Sequence, residues 1–420
     1  MGAVLRLPMT APGRNQILAE REIQARGWIE QLADLPARYA GSASERQAAE
    51  RIAGWIRALG IHDVSVLPVP GGMRPGLVLG VHTGMGAIGC FWGGFVGAVL
   101  ATLAAWSFWQ EFRHHRSLLA RLIHPPDSVN VIARVGPDAP ARRVILTAHL
   151  DTTQAGWIFS PTPSDWFART SRALHRQDSQ PPAAMSAPAA LLIGAVLLAL
   201  SSWFGGYGFL FNLLRAFTGM ALLVACGLGL QWAASSPTPG ANDNASAVAA
   251  MLTCAERLLT ALPADVELWV VGTGAEEVGC GGMRAFVEQH SWPTEGTYWV
   301  NFECVGGGTL HYLNSEGMLN RITYTPTLLE LARRVAASGV FGEVTPTDLL
   351  AATDGHVPAE RRYAVLSLIS LESNGVPRHY HRRDDTVGGI DLTTVIRAAD
   401  FGTSVVTAAL RGEAGPVTVG

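Results

Sequence analysis

A chain of 420 residues, 48% of them apolar, exceeds one average domain, yet a single large α/β domain with insertions accounts for it. Its 31 basic and 34 acidic residues give a formal net charge of -3, without the positive excess that gathers a polyanion, so nucleic acid is not an expected partner. Charged residues make up only 15% of the chain and the mean hydropathy is +0.21, a deficit of charge that points to lipid.

Residues 1–16 have no continuous apolar core between a basic start and a small-residue cleavage site, so membrane insertion is expected to use internal segments. Apolar residues recur at helical spacing over 44–59. The stretch 75–110 holds no Asp, Glu, Lys or Arg. It is long enough to cross a bilayer once, for which roughly 20 apolar residues suffice, or to make two short passes or a re-entrant hairpin hinged near Gly93-Gly94. Arg113, His114, His115 and Arg116 read as its basic flank. A β-rich run at 144–148 follows, and then a segment at 169–182, rich in Arg, Ser, Gln and Pro, that predicts a solvated linker. Two more apolar runs, 188–204 and 209–232, are separated by Gly205-Gly206 and interrupted only by Arg215, which predicts a membrane hairpin with Trp203 and Trp232 at the interfaces. Buried core helices of a soluble protein are the competing reading, and three such runs in one chain count against it. Further strands are expected at 266–272, 297–302 and 364–371 and helices at 245–261 and 328–337. The alternation predicts an α/β fold with a mostly parallel central sheet flanked by helices.

The residues that carry chemistry fall at the ends of these strands. His149-Leu150-Asp151 directly follows an apolar run, and functional groups in open α/β sheets collect at the carboxyl ends of strands. Alone, His-x-Asp is a weak signal. The polar turn from Gly240 to Ser246 would by itself be a helix cap, with Asp243 or Asn244 bonding the first free amides. Glu276 and Glu277 are adjacent carboxylates that repel, and a divalent metal offsets that cost if Glu277 binds it while Glu276 faces a bound water and takes its proton. Glu303 ends another strand, and His381 lies in a polar run from Arg378 to Thr386. Each has an ordinary explanation as a surface charge. Together they make two histidines and three carboxylates, a set suited to two zinc ions bridged by one carboxylate. The five cysteines, Cys90, Cys226, Cys254, Cys280 and Cys304, form no Cys-x-x-Cys pair and read as reduced, mostly buried thiols.

On these residues the chain resembles metallopeptidase family twenty-eight, the co-catalytic zinc aminopeptidases that also include glutamate carboxypeptidase-like and glutaminyl cyclase-like members. The resemblance covers about 17–75 and 127–410 with the hairpin excised, and five segments occur in the family's order: His149-Leu150-Asp151, Gly240 to Ser246, Glu276-Glu277, Asn301-Phe302-Glu303, and Tyr380-His381 with Asp384-Asp385-Thr386. It implies that Asp243 bridges the metals, with His149 and Glu303 completing one site and Glu277 and His381 the other. Asp151 would fix the ring of His149, Glu276 would be the general base, and Tyr380 would donate to the oxyanion. Glu303 departs from the family's usual Asp, which changes reach and denticity. In Thr353-Asp354-Gly355-His356, near a Ser-Asp-His-like segment of the family, Asp354 is expected to be structural and His356 a bystander. His379 could compete with His381, and the Tyr-His order favours His381.

A shared metal site requires His149 and Asp243 on one side of a membrane, which a two-pass hairpin between them satisfies. Arg113, Arg116, Arg121, Arg169, Arg172 and Arg176 flank the apolar runs on that side, and by the positive-inside rule they place it in the cytoplasm. The expected organisation is an N-terminal part of the peptidase domain (1–75), an apolar membrane segment or hairpin (76–110), the first metal motif and linker (111–182), a transmembrane hairpin (183–233) and the remaining metal and catalytic motifs (234–420). The expected function is a membrane-anchored exopeptidase, most simply an aminopeptidase, with short peptides as substrate, two Zn2+ ions as cofactor and the lipid bilayer as partner. The alternatives are a non-catalytic receptor-like scaffold and a single-zinc glutaminyl cyclase-like acyltransferase.

Overall fold

The computed structural model describes residues 14–114, 118–162 and 185–412, so the linker expected at 169–182, together with His115 and Arg116, lies outside the described residues. Two helices come first, α1 (Arg14–Ala33) and α2 (Ala43–Ala58). Ser42 caps α2 by accepting the Glu45 amide at 3.0 Å, and Ala48, Ala49, Ile52, Ala53 and Ile56 form its buried stripe.

Among the described residues nine strands form one sheet: β1 (Asp63–Val69), β2 (Ser128–Val135), β3 (Arg142–His149), β4 (Val266–Thr273), β5 (Thr297–Glu303), β6 (Thr309–Glu316), β7 (Ile322–Thr323), β8 (Val344–Asp348) and β9 (Ala364–Leu371). Their order is β1-β2-β4-β3-β5-β9-β6-β7, with β8 also on β6. The central strands β4, β3, β5 and β9 are parallel, whereas β1, β2, β6 and β7 pair antiparallel with their neighbours along that order. The parallel order expected for most of the sheet holds its centre and recurs where β8 pairs with β6, and the sheet as a whole is mixed. β4 and β9 are buried at every position because helices cover both faces, and their sequences are predominantly apolar, broken by Glu267 and Thr273 in β4 and by Ser367 and Ser370 in β9.

One face is covered by α1, α2, α8 (Ala247–Leu259), α10 (Pro326–Ala337) and α12 (Leu392–Leu410), the other by α9 (Gly281–Gln289) and α11 (His356–Glu360). Register sets the ends level: His149 pairs with Thr273, and Thr147 pairs with Asn301, so His149 and Glu303 leave the same edge of the sheet.

Two helical hairpins are inserted into this body. The first, α3 (Pro75–Trp92) and α4 (Gly94–His114), turns at Gly93 and Gly94, whose φ of 68° and 62° suits glycine and few other residues. A short helix, α5 (Leu118–Ile123), follows it. The second hairpin is α6 (Ser186–Trp203) and α7 (Phe209–Ala234). The four long helices share a core that includes Val78, Leu79, Ala101, Phe108, Leu192 and Leu222. Glycines set the α3–α7 crossing: a Cβ on Gly76 would lie 2.7 Å from Gly229 O, and one on Gly229 would lie 2.6 Å from Gly80 N. Such close backbone approach associates helices where the solvent itself is apolar. Arg215, the lone charge in α7, donates to Cys90 O at 3.1 Å and Phe91 O at 2.7 Å, satisfying carbonyls that the end of α3 leaves open.

The hairpin turns meet at one end of the bundle, where Phe95 and Trp203 are 5.2 Å apart. At the opposite end the bundle joins the body, through Arg74 Nη1 to Ala233 O at 3.2 Å and Met185 N to Met318 O at 3.0 Å. By length and composition α6 and α7 could each cross a membrane, and only 22% of either apolar window is buried, unlike a core helix.

Candidate metal and catalytic centre

The centre is assembled from the carboxyl ends of the parallel strands. At the end of β3 the Leu150 amide donates to Thr273 O at 2.8 Å, which holds His149 beside the end of β4. Asp151 then reaches across: its two carboxylate oxygens accept the Glu276 and Glu277 amides, each at 3.2 Å. The His149 ring is steadied by the Asp151 backbone carbonyl, 3.1 Å from Nδ1, with the Asp151 carboxylate at 3.5 Å. Asp151 therefore touches His149, as expected, and in addition anchors the loop bearing both glutamates.

Asp243 follows a turn at Gly240, where φ is 69° and a Cβ would fall 2.3 Å from Thr152 and 2.6 Å from Asp243 O. The segment is laced in place by Asp385, Asn242 and Asn244, which belong to the motifs read from the sequence, and by Arg38, which the sequence did not single out. Asp385 accepts the Asn242 amide at 2.7 Å and the Asp243 amide at 3.1 Å. Asn242 and Asn244 accept the Gly306 and Cys304 amides at 2.7 and 2.9 Å, tying the loop after β5. Arg38, buried, donates to Leu150 O, Leu32 O, Pro239 O and Gly240 O, so one guanidinium clamps the His149 and Asp243 segments together. An arginine at a loop position is common, and no local signal singles Arg38 out.

The outcome is a two-lobed cluster around one carboxylate. Asp243 Oδ1 lies 3.3 Å from His149 Nε2 and Asp243 Oδ2 lies 3.3 Å from His381 Nε2. Glu303 Oε1 is 3.3 Å from His149 Nε2, Glu277 Oε2 is 3.2 Å from His381 Nε2, and Glu276 Oε2 is 3.9 Å from His149 Nε2. All eight residues singled out in the sequence are brought together here. His379 is turned aside, its Nδ1 at 3.0 Å from Asp384, so His381 and not His379 faces the cluster. Asp354 is buried beneath, bonded by the Thr273 hydroxyl, and His356 lies by Glu360.

Burial opposes the charged form of the His381 ring, but the Glu277 and Asp243 carboxylates push it up to about 10. Burial likewise opposes an ionised Asp243, and the hydrogen bonds of His149 and His381 nevertheless hold it below the usual carboxylate range. Burial first, opposed by His381 and His149 and reinforced by the Asp243 carboxylate, raises Glu277 to about 7. So many carboxylates in a buried space need compensating positive charge. Glu277 Oε1 and Glu303 Oε2 are buried without any hydrogen-bond donor, which protein groups rarely tolerate and which metal cations would satisfy. Imidazole and carboxylate donors suit a borderline divalent ion such as zinc.

One wall is aromatic. Tyr380 stacks on the His381 ring at 3.8 Å, and Phe159 meets that ring edge-on at 4.5 Å. Trp232, the residue expected at a membrane interface, has its ring 5.0 Å from Phe159 and 6.1 Å from His381, with its Nε1 donating to Gln154 O at 2.9 Å. A cavity of about 330 Å³ opens beside them, lined by Phe159, Pro161, Pro377, Arg378, Tyr380 and Arg382.

A match to peptidase family M28 covers residues 229–406. It begins inside α7 and takes in Asp243, Glu276, Glu277, Glu303, Tyr380 and His381, while His149 and Asp151 lie before it, across the second hairpin. Aminopeptidase YwaD of Bacillus subtilis is 31% identical over 189 residues, which is 43% of this chain and only 40% of that protein's own length. Among solved structures, a zinc aminopeptidase from Bacillus subtilis superimposes on 95% of this chain and 97% of its own, with a TM-score of 0.55 at 16% identity. A glutaminyl cyclase from Porphyromonas gingivalis covers 92% and 98%, with a TM-score of 0.50 at 14% identity. The likeness to both structures is one of fold, a mixed α/β body with a central sheet flanked by helices.

Proposed function

Because residues 229–406 carry a peptidase family M28 domain, we propose that the chain is a zinc-dependent exopeptidase anchored in a membrane, an aminopeptidase that removes the terminal residue of short peptides. The observation that carries this reading is the placing of Asp243 between two histidines, one oxygen to each at 3.3 Å, with Glu303 beside the first ring and Glu277 beside the second. His149, Glu303 and Asp243 Oδ1 would hold one zinc ion, and His381, Glu277 and Asp243 Oδ2 a second. Ions so held supply Lewis acidity toward the scissile carbonyl and make water acidic enough to attack near neutral pH.

Glu276 takes the proton of the attacking water and returns it to the leaving amine. Its backbone is pinned by Asp151, so the carboxylate is presented to the cluster from a fixed loop. Tyr380 donates to the developing oxyanion: burial, then the Asp243 and Glu277 carboxylates, pushes its phenol well above the usual value, so the proton stays on the oxygen. The cavity beside Tyr380 receives the peptide. The helices α6 and α7 supply the anchor, α3 and α4 pack with them, and the arginines flanking the apolar runs orient the catalytic body toward the cytoplasm.

The test is hydrolysis of a panel of aminoacyl fluorogenic amides by detergent-purified protein, with metal counted. Activity lost to a chelator, restored by zinc and accompanied by two ions per chain is the expected result. Inactivity of the metal-loaded protein on every amide would overturn the reading. The glutaminyl cyclase likeness gives a second reading, distinguished by ammonia release from N-terminal glutamine with a single bound zinc.

A further inference from the structure

The membrane-like bundle and the catalytic cluster touch. Trp232 lies within the last turn of α7, yet its ring packs on Phe159, which in turn meets His381 at 4.5 Å. One residue earlier, Gln231 Oε1 accepts the Trp157 amide at 2.9 Å, and just past the helix Ser236 O accepts the Ala155 amide at 3.0 Å. The segment that carries Phe159 into the cavity wall is thus laced to the mouth of an apolar helix. The first hairpin arrives equally close. A Cβ on Gly72, three residues before α3, would lie 2.4 Å from the carbonyl of Val278, the residue after Glu277.

Dimensions place this junction in depth. At 1.5 Å per residue α6 is about 27 Å long and α7 about 39 Å, against roughly 30 Å of hydrocarbon and 40–45 Å with both headgroup layers. If α6 and α7 span, the end of α7, and with it Trp232, falls in the headgroup layer, and the cluster follows within two ring contacts. Trp157 beside Gln231, and Leu122 and Ile123 shortly after α4, are exposed apolar side chains near the body end of the helices, as an interfacial surface requires. A site meant for freely diffusing peptides has no need to sit so low.

We propose that the substrates are peptides whose carboxy-terminal part is held in or on the bilayer, and whose short free amino-terminal stretch enters the cavity at headgroup height. The proposal rests on the exopeptidase and anchoring readings above. An extended chain advances about 3.3 Å per residue, so only a few residues separate the bilayer surface from such a site.

The full chain reconstituted in phosphatidylcholine and phosphatidylglycerol vesicles tests this with acylated peptides. They share one amino-terminal sequence and carry a spacer of about 5 or about 30 residues before the acyl chain, and release of the terminal residue is measured. Both peptides have the same surface concentration, so their ratio reports height alone. The expected result is faster processing of the short-spacer peptide, by about fivefold, because effective concentration falls with linker length once the span is reached. Slower processing of the short-spacer peptide, or no advantage of either acylated peptide over its unacylated copy while a soluble aminoacyl amide is cleaved, would overturn the inference and leave the peptidase reading standing. Failure to cleave any substrate, the soluble amide included, would overturn both.

Discussion

Glu276 is the residue on which chemistry and electrostatics converge. Burial, opposed by His149 and reinforced by the carboxylates of Glu303, Asp354 and Glu277, pushes its carboxyl well above the usual range, the direction that suits a group exchanging protons near neutrality. Its oxygens are not needed to complete either lobe of the cluster. Replacing Glu276 by Gln is therefore expected to lower kcat by about 10²–10⁴ while zinc content stays unchanged, read by rate assay together with metal analysis. Glu45 makes a separate prediction. Burial, then Asp151, raises it to about 8, although the Ser128 hydroxyl and the Gly41 and Ala275 amides favour its anion. A carboxyl raised in the folded state binds its proton more tightly there than in the unfolded chain. The stability it contributes is complete below its ordinary value and is lost as pH climbs through the folded one. Between about pH 5 and about pH 8 the Tm contribution of Glu45 should fall, and the Glu45→Gln variant, which cannot ionise, should lose less Tm over that window.

At the scale of elements, the α3–α7 crossing has no spare room. The Gly229 backbone sits against Gly76 and Gly80, and a side chain there would have to part the two helices. Gly229→Val should cost about 1–3 kcal/mol by overpacking, seen as a lower Tm in detergent and faster proteolysis within the hairpins. Because Trp232 lies one turn further along α7 and touches Phe159 and His381 through its ring contacts, the same variant should also lower activity. The central strands behave differently: β3, β4, β5 and β9 are held on both edges by neighbours and on both faces by helices, so the ends that carry the cluster are its most rigid support.

For the molecule as a whole, the two hairpins let a single α/β body be interrupted twice without being divided. Each leaves and returns at the body end, so His149 and Asp243 meet although the second hairpin separates them in sequence. In a membrane this demands that the hairpin turn and the body lie on opposite sides. Tyr207 in the turn and Val340 on the body are both exposed, and the native cysteines are buried or half-buried. In intact cells a membrane-impermeant maleimide should label Tyr207→Cys, while Val340→Cys should react only after permeabilisation. Labelling of both from the same side would remove the anchoring proposal.

Periodicity and strand ends are local properties, and they made much of this chain legible: the strand before His149, the strand before Glu303, the helix with Ala48, Ile52 and Ile56 on one face, and the uncharged run hinged at Gly93 and Gly94. What a side chain faces across a hundred residues is not local. That Asp243 divides its oxygens between two rings, that Asp385, Asn242 and Arg38 lace the loops, and that Trp232 turns toward His381 depend on contacts whose partners no window of sequence contains. The antiparallel pairing of β1 and β2 has the same origin, since these strands are chosen by what they pair with and their own residues would suit either direction. Sequence by itself determined which residue types stand at the strand ends and which runs shun water. Tertiary structure alone decided how they meet, because that depends on the packing of the whole sheet.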